Sequence, residues 1–426
     1  MVSGLWKAGL CLLVATAAIA QEPSQADLAA ADVARQAVEA GRYLDAEQAL
    51  RKVAFDARGV AKPGYAYDQW REIQGLLDGE PGPAIRTADA STDADHAAAI
   101  ASLKAATPHD AIATIVEQAK THRLVILNED HRSPRDRAFG WQVAQALRPF
   151  GYDVLGIETL NNVADDAEAA GLMSRLSRDG YAHRGSTGYY VRDPVFADFM
   201  RQALWIGYRP VAYETTEFRQ SGSVAEQIGA RDQAQADYVV RRALTRYPKS
   251  KVLLYVGFHH ATEAPGDIDG TPVRWLAARL KAMTGMDPLT IDQTTLNADG
   301  AGDPVLHGAV ADRIGATPAV LFAGSKPLVV GDYAGLVDLQ VVHPRTTRIG
   351  GRPDWLLAMG RTPTPIPGNL LPKNGKRLVQ AFVAGETEAI PVDQVVVTAG
   401  DPQPVLMLPK GAMTFAVQDA GTTPTS

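Results

Sequence analysis

Residues 123–131 read RLVILNEDH, an apolar run that leads directly into Asn, Glu, Asp and His. The apolar part is continuous rather than alternating, which is typical of a parallel strand buried on both faces. Comparable runs recur at residues 152–157, 209–213, 251–256, 289–291, 319–322 and 337–342. Helical segments separate most of these runs, and this alternation indicates βαβ units. We therefore predict an α/β fold with a mostly parallel sheet flanked by helices.

The segments on either side of this core have different patterns. Residues 21–92 are rich in Ala and carry helical periodicity with a hinge at residues 40–43, which predicts an N-terminal helical hairpin. Residues 93–357 form the predicted α/β domain. Residues 358–426 contain Pro, Gly and short β-like runs, and we expect a small C-terminal β appendage there.

The first twenty residues have the layout of a cleavable secretory signal. Lys7 precedes about ten apolar residues, and the small residues Ala18 and Ala20 predict a cut before Gln21. This apolar stretch is too short to cross a bilayer core of about 30 Å. We expect an exported protein, periplasmic if the source has two membranes, without a transmembrane segment after cleavage. The only cysteine, Cys11, lies within the signal, so we expect no disulfide in the mature chain.

Composition and charge restrict the classes of partner. The 426 residues are 46% hydrophobic and 21% charged, which is ordinary for a globular protein. Lys and Arg number 42 against 48 Asp and Glu, for a net charge of −6, so no overall basic field attracts nucleic acid. A small-molecule or peptide substrate is the expected partner, and the oligomeric state stays open.

The residues that follow the predicted strands carry the chemistry. Ligands of open parallel sheets bind outside the carboxyl ends of the strands. In this sequence those positions are Glu129, His131, Glu158, Glu214, His259 and His260. Imidazole and carboxylate groups can act as general base and acid or hold a divalent metal ion. Adjacent residues of an extended chain point in opposite directions, so only one ring of the pair at 259 and 260 should face the site.

Two familiar catalytic motifs are missing from the sequence. The basic residues outside the strand ends are expected at the surface. Neither the HExxH motif of zincins nor the GxSxG nucleophile elbow occurs. The basic residues at 132–137 and 241–242 lie on predicted helices, and we expect solvated helix faces for them.

Three segments resemble the Tiki superfamily, which includes the ChaN haem-binding uptake proteins, the erythromycin esterases and the Tiki metalloproteases. The segments are LVILNEDHRSPRDRAFGWQVAQAL at 124–147, VLGIETL at 154–160 and KVLLYVGFHH at 251–260. Members share two Gly-x-x-His motifs with a Glu between them. His131, Glu158 and His260 correspond to these positions, with Asn128 in place of the first Gly. The pair Arg231–Asp232 is similar to an Arg-Glu pair of the esterase branch.

This resemblance implies an exported hydrolase that activates water with His and Glu, with or without a divalent metal ion, to cleave an ester or amide. The catalytic candidates are Glu129, His131, Glu158, Glu214 and His260, and the metal candidates are His131, Glu158, His259 and His260. One alternative is a ChaN-type haem or iron-binding protein without turnover, with Tyr189 and Tyr190 as cofactor ligands. Another is a non-catalytic interaction protein that acts through its N-terminal helices and C-terminal strands.

Overall fold

The computed structural model describes residues 23–85, 93–219, 221–268, 270–300 and 302–420. The predicted signal segment, residues 1–20, lies outside these ranges, so cleavage and export stay predictions. None of the helices in the described ranges has the length and apolarity that a bilayer crossing needs. The described helices are α1 Gln25–Glu39, α2 Tyr43–Ala54, α3 Tyr65–Asp78, α4 Asp93–Ala105, α5 Ala111–Ala119, α6 Pro134–Leu147, α7 Asp166–Asp179, α8 Pro194–Trp205, α9 Val224–Val239, α10 Leu276–Thr284 and α11 Pro304–Val310.

The strands form one large central sheet and several small ones. They are β1 Thr107–Asp110, β2 Leu124–Glu129, β3 Tyr152–Ile157, β4 Arg209–Val211, β5 Lys251–Gly257, β6 Gly266–Ile268, β7 Thr271–Val273, β8 Leu289–Leu296, β9 Ala319–Ala323, β10 Lys326–Pro327, β11 Leu339–Val342, β12 Arg348–Ile349, β13 Arg352–Pro353, β14 Thr362–Pro365, β15 Lys376–Val383, β16 Asp393–Thr398, β17 Val405–Leu408 and β18 Met413–Asp419. The central sheet has the order β1-β9-β11-β8-β2-β5-β3-β4, and β10 pairs with β9.

The central sheet confirms the predicted fold class. From β11 to β4 every neighbouring pair of strands is parallel. The strand β9 differs from the prediction, because it runs antiparallel to both β1 and β11. The connection from β9 to β11 contains no α-helix, and parallel neighbours usually need a helical crossover.

Alternate residues of the central strands pack against helices on opposite faces of the sheet. Val125 and Leu127 belong to a core cluster with residues of α6 and α8. Leu124 and Ile126 belong to a second cluster with residues of α9 and α10. Burial on both faces explains why the apolar run of β2 is continuous.

The N-terminal segment contains a third helix beyond the two of the predicted hairpin. Helix α3 packs with α1 and α2 in a cluster that includes Tyr43, Leu50 and Trp70. Leu378 of the C-terminal strand β15 belongs to the same cluster. The two ends of the chain therefore pack together, and the hydroxyl of Tyr43 donates to the carbonyl of Arg192 in the α/β domain at 2.8 Å.

The C-terminal residues form the expected small antiparallel strands. Strand β15 pairs with β16 and β18, and β14 pairs with β17. Residues 271–273 form β7 and pair with β6 before α10 begins at Leu276.

Candidate active site at the strand ends

The carboxyl ends of three parallel strands meet at the centre of the sheet. Glu129, the last residue of β2, pairs with Gly257, the last residue of β5. Ile157 at the end of β3 pairs with Tyr255, and Glu158 follows immediately. The register of the strands therefore brings the predicted residues Glu129, His131, Glu158 and His260 into one cluster.

His131 is oriented by Glu129. Its Nδ1 lies 2.9 Å from Oε1 of Glu129, which places the ring proton on Nδ1 and leaves Nε2 as a proton acceptor. The ring stacks on Tyr190 with centroids 3.9 Å apart, and Phe258 contacts it edge-on. The side chain is 12% exposed, so the ring is largely shielded from water.

Arg137 holds Glu129 from the other side. Its Nε donates to Oε2 of Glu129 at 2.9 Å and its Nη2 donates to Oε1 at 3.1 Å. Its Nη1 donates to Asp193 at 2.7 Å. Burial alone lowers the pKa of Arg137, but these two carboxylates raise it well above its ordinary value. The interpretation of residues 132–137 as a solvated face is therefore wrong for Arg137, which is 1% exposed.

The burial of Arg137 has a physical reason. Two carboxylates face the guanidinium inside the protein, so the charge is paired and hydrogen-bonded and can be buried. Arg135 and Arg242, which also received the surface interpretation, are 5% and 7% exposed. Arg242 pairs with Asp166 and donates to loop carbonyls.

His260 is oriented by Asp232 of α9. Its Nδ1 lies 3.1 Å from Oδ2 of Asp232, and its Nε2 lies 3.6 Å from Oε1 of Glu158. Burial alone lowers the pKa of His260, but the carboxylates of Asp232 and Glu158 raise it above its ordinary value, against the opposing charge of Arg231. The raised pKa favours the protonated form of His260, which is the form that can act as an acid.

Glu158 lies between the two rings. Its Oε1 accepts from Nη2 of Arg231 at 2.6 Å, and its Oε2 accepts from the backbone N–H of Gly257 at 2.6 Å. Burial alone raises the pKa of Glu158, but Arg231, His260 and His131 lower it to about 2. Glu158 is therefore a fixed negative charge at neutral pH.

Gly257 leaves room for this arrangement. A Cβ at this position would lie 2.4 Å from Nε2 of His131 and 3.0 Å from Oε2 of Glu158. These distances also limit the separation of Nε2 of His131 from Oε2 of Glu158 to 5.4 Å, the sum of the two. The backbone of Gly257 is extended, with φ of −83°, so the requirement is for space and not for an unusual conformation.

Glu214 lies behind Arg231. Arg231 donates to both carboxylate oxygens of Glu214, at 2.9 and 2.6 Å, and Gln235 donates to the same carboxylate at 3.1 Å. Glu214 is 1% exposed and does not contact either imidazole directly among the described contacts. It therefore positions Arg231, which in turn binds Glu158.

Two residues at the edge of the cluster have strained backbones. Thr159 has φ of 62° and Phe258 has φ of 38°. Each directly follows a residue of the cluster, Glu158 and Gly257. Positive φ is costly for a β-branched or bulky residue, and such strain concentrates at functional sites.

His259 is the predicted residue that the structure does not bring into the cluster. Residues 258–261 form a 3₁₀ turn after β5, so the two histidines point in different directions. The ring of His259 stacks with Trp275 and Tyr333, with centroids 5.6 and 5.2 Å away. Burial lowers its pKa.

The cluster does not suit a metal ion. Glu158 already accepts from Arg231 and Gly257, and His259 lies elsewhere. Within the described ranges, no group of three or more His, Cys, Asp or Glu side chains is placed to hold a metal. No step of the chemistry is therefore assigned to a metal.

Tyr189 and Tyr190 have packing roles. Tyr190 is 4% exposed and stacks on His131. Tyr189 lies beneath the guanidinium of Arg192, whose carbon is 3.7 Å from the ring centroid, and burial raises the pKa of Tyr189 to about 12. Neither hydroxyl is an exposed phenolate of the kind that would ligate an iron.

Four residues of the site were not predicted from the sequence pattern, or were identified only through the family resemblance. They are Arg137, Asp193, Arg231 and Asp232. Asp193 precedes Pro194 and was recognisable as a helix cap, and it does accept from the N–H of Val195. The sequence carries no signal that its second oxygen binds Arg137, because the two residues lie 56 positions apart.

Neither a family profile nor a curated protein sequence matches this chain. RRSP, a MARTX toxin effector domain from Vibrio vulnificus CMCP6, is a similar solved structure, with 16% identity, a TM-score of 0.33 and coverage of 67% of this chain and 60% of its own. The type III effector HopBA1 has 15% identity, a TM-score of 0.30 and coverage of 46% and 93%. A structure described as bacterial protein toxins has 16% identity, a TM-score of 0.32 and coverage of 64% and 57%. The chain thus spans less than two thirds of the length of RRSP and of this last structure.

These findings correct the family assignment. The similar structures are described as bacterial toxins and effector domains and not as ChaN, erythromycin-esterase or Tiki proteins. The assignment to the Tiki superfamily is therefore wrong, and with it the ester or amide hydrolase and the haem-binding protein that it implied. The low TM-scores transfer no activity from the toxins to this chain.

Proposed function

We propose that this chain is an enzyme that uses a pair of carboxylate-oriented histidines for general acid–base catalysis. One observation carries the proposal: His131 and His260 each bind a carboxylate through Nδ1. Nε2 of His260 lies 3.6 Å from Oε1 of Glu158, and a Cβ added at Gly257 would be 2.4 Å from Nε2 of His131 and 3.0 Å from Oε2 of Glu158. A carboxylate on Nδ1 fixes the tautomer and orientation of an imidazole and raises its basicity. Two such rings at one point suit a reaction that needs a proton removed and a proton delivered.

The roles follow from the surroundings of each ring. His131 donates its Nδ1 proton to Glu129, so its Nε2 lone pair takes a proton from the substrate. His260, whose pKa is raised by Asp232 and Glu158, delivers a proton from Nε2 to the group that departs or is rearranged. Glu158 stays ionised and stabilises whichever imidazolium is present. One proton is added to His131 and one is lost from His260, and exchange of protons with water returns both rings to their starting state.

The charge of the cluster indicates the class of substrate. Five carboxylates and two guanidinium groups lie within it: Glu129, Glu158, Asp193, Glu214, Asp232, Arg137 and Arg231. The hydrogen bonds of Arg137 and Arg231 go to these carboxylates and to the backbone, and Nη1 of Arg231 also lies 3.4 Å from Nε2 of His260. The surplus of negative charge favours a neutral or positively charged small molecule over an anion.

The test is consumption of small molecules from a complex mixture. The purified protein, His131→Ala and His260→Ala are each incubated with a bacterial metabolite extract, and compounds that disappear are followed by mass spectrometry. We expect at least one neutral or cationic compound to be consumed by the wild type. General acid–base residues contribute about 10²- to 10⁴-fold, so each variant should slow consumption to that extent.

His109→Gln is the matched control, because His109 lies on β1 against Phe322 and far along the sheet from the cluster. It should leave consumption unchanged. Consumption that survives in both alanine variants would overturn the proposal, as would the absence of any compound whose consumption depends on His131.

A further inference from the structure

The C-terminal strand β18 forms an open edge of a small sheet. This sheet has the order β16-β15-β18, and among the described strands β18 pairs with β15 alone. Residues 414–417 are exposed, and the exposed fractions of Phe415 and Val417 are 37% and 42%. An edge strand presents backbone N–H and C=O groups without a ladder partner, so it can pair with a further strand.

The register shows which backbone groups of β18 point away from β15. The amide of Ala384 donates to the carbonyl of Ala412, and the amide of Ala420 donates to the carbonyl of Lys376. In an antiparallel pair, residues that bond to the neighbouring strand alternate with residues that bond away from it. The even-numbered residues of β18 therefore bond to β15. The odd-numbered residues up to 417 direct their N–H and C=O groups to the open edge, and these are Met413, Phe415 and Val417.

Other edge strands are protected in ways that β18 is not. The two ends of the central sheet contain Pro108 in β1 and Pro210 in β4, and β14 contains Pro363. Proline has no N–H group and hinders the addition of a strand. The opposite edge of the same small sheet is covered, because the amide of Val396 in β16 donates to Asp78 of α3 at 3.4 Å. By contrast, residues 413–418 contain neither Pro nor a charged residue.

The side chains of β18 continue an apolar face. Val417 lies opposite Val379 of β15, and Phe415 lies opposite Ala381. Both residues of β15 are buried in the apolar cluster of the C-terminal strands. Cross-strand partners point to the same face of a sheet, so Phe415 and Val417 extend this apolar face to the open edge.

We infer that β18 is a dimerisation edge, at which two copies of this chain pair their β18 strands antiparallel about a two-fold axis through Phe415. In this register Phe415 of one protomer lies opposite Phe415 of its partner, and Met413 lies opposite Val417. The backbone groups of these residues point outward, so each pair exchanges both of its hydrogen bonds. Asp419, which binds Arg377, stays outside the paired segment.

A second copy is the partner that this edge fits. A two-fold axis presents the same groups of the strand to its copy, and the antiparallel direction follows from the symmetry. Apolar side chains meet apolar side chains across the axis, and no like charges meet within the paired segment. The pairing uses the open edge of both protomers, so the assembly closes at two copies. The dimer does not depend on the acid–base activity proposed for the histidine cluster.

Sedimentation velocity of the full chain tests the inference. The interface is small, so we expect a weak dimer, and the protein concentration is varied from about 1 µM to about 1 mM. The sedimentation coefficient should rise over this range from the value of a monomer to that of a dimer and should not rise beyond it.

Phe415→Lys and Phe415→Glu are the decisive variants. Each places two like charges across the two-fold axis, so each should weaken the dimer by at least about tenfold. An equimolar mixture of the two variants brings opposite charges together and should restore association. Val417→Lys tests the same edge if a variant at 415 loses stability. Trp205→Lys is the control, because Trp205 is 89% exposed at the end of α8 and the change in charge is the same.

Three outcomes would overturn the inference. The first is a chain that stays monomeric over the whole range of concentration. The second is association that is as strong in Phe415→Lys and Val417→Lys as in the wild type, because it would then use another surface. The third is an equimolar mixture of Phe415→Lys and Phe415→Glu that associates no better than either variant alone.

Discussion

The Glu129–His131 pair and the Asp232–His260 pair contain the same chemical groups on two sides of Glu158, yet they are assembled in different ways. Glu129 and His131 are two positions apart at the end of β2, with Nδ1 and Oε1 2.9 Å apart. Asp232 and His260 are 28 positions apart and meet only because α9 packs beside the turn after β5. One pair is built by local geometry and the other by packing.

The two pairs also differ in what else the carboxylate binds. Glu129 shares its charge between His131 and the buried Arg137. In the described part of the chain, the side chain of Asp232 hydrogen-bonds to His260 alone. The charge of Asp232 therefore acts on His260 with little competition, which is one reason that the pKa of His260 is raised. The comparison teaches that tertiary packing decides whether the charge of an orienting carboxylate is shared with a guanidinium, as for Glu129, or not, as for Asp232.

Removal of each carboxylate should have unequal costs. Glu129→Gln leaves the buried Arg137 with only Asp193 as a charged partner, and breaking a buried ion pair in this way costs about 3 kcal/mol or more of unfolding free energy. Asp232→Asn removes one hydrogen bond to a charged group and should cost about 1 to 3 kcal/mol. Urea unfolding at pH 7 measures both. If both variants lose the same unfolding free energy, the ion pair of Glu129 with Arg137 adds nothing to stability beyond the hydrogen bond to histidine.

Gly257→Ala should disturb the space that both pairs share. The new Cβ would lie 2.3 Å from Cε1 of His131, so the ring or the strand must shift, and overpacking of this kind costs about 1 to 3 kcal/mol. Gly171→Ala is the control, because Gly171 lies in α7 with nothing within 4 Å of the added methyl group. The measurement is the change in unfolding free energy of each variant. If Gly257→Ala changes the unfolding free energy no more than Gly171→Ala does, the ring of His131 does not lie close to Gly257.

The smallest expected effect is the contribution of His260 to the pH dependence of the unfolding free energy. Its folded-state pKa is raised above the ordinary 6.5, so its contribution is fully present below pH 6.5 and is lost as the pH rises through the folded-state pKa. NMR titration of the imidazole C–H resonances should place the midpoint for His260 above 6.5 in the wild type and lower it in Asp232→Asn. A midpoint that does not move in this variant would assign the raised pKa to Glu158 instead.

The sequence pattern predicted that the strand-end residues converge, but it did not predict that Arg137 is buried. Continuous apolar runs identified β2, β3 and β5, and parallel strands end at one edge, so the approach of His131, Glu158 and His260 followed from the pattern. Arg137 lies on a helix with other charged residues, and that pattern favours a solvated face. Its burial depends on Glu129 at the end of β2 and on Asp193, the residue before α8.

The sequence by itself determined the α/β class, the helical N-terminal segment and the position of polar residues after buried strands, because these depend on local hydrophobic periodicity. Only the tertiary structure decided which polar groups pair. Glu129 meets Arg137, and Asp232 meets His260. The physical reason is that the strength of an ion pair depends on distance and burial, and both are set by the packing of segments far apart in the chain.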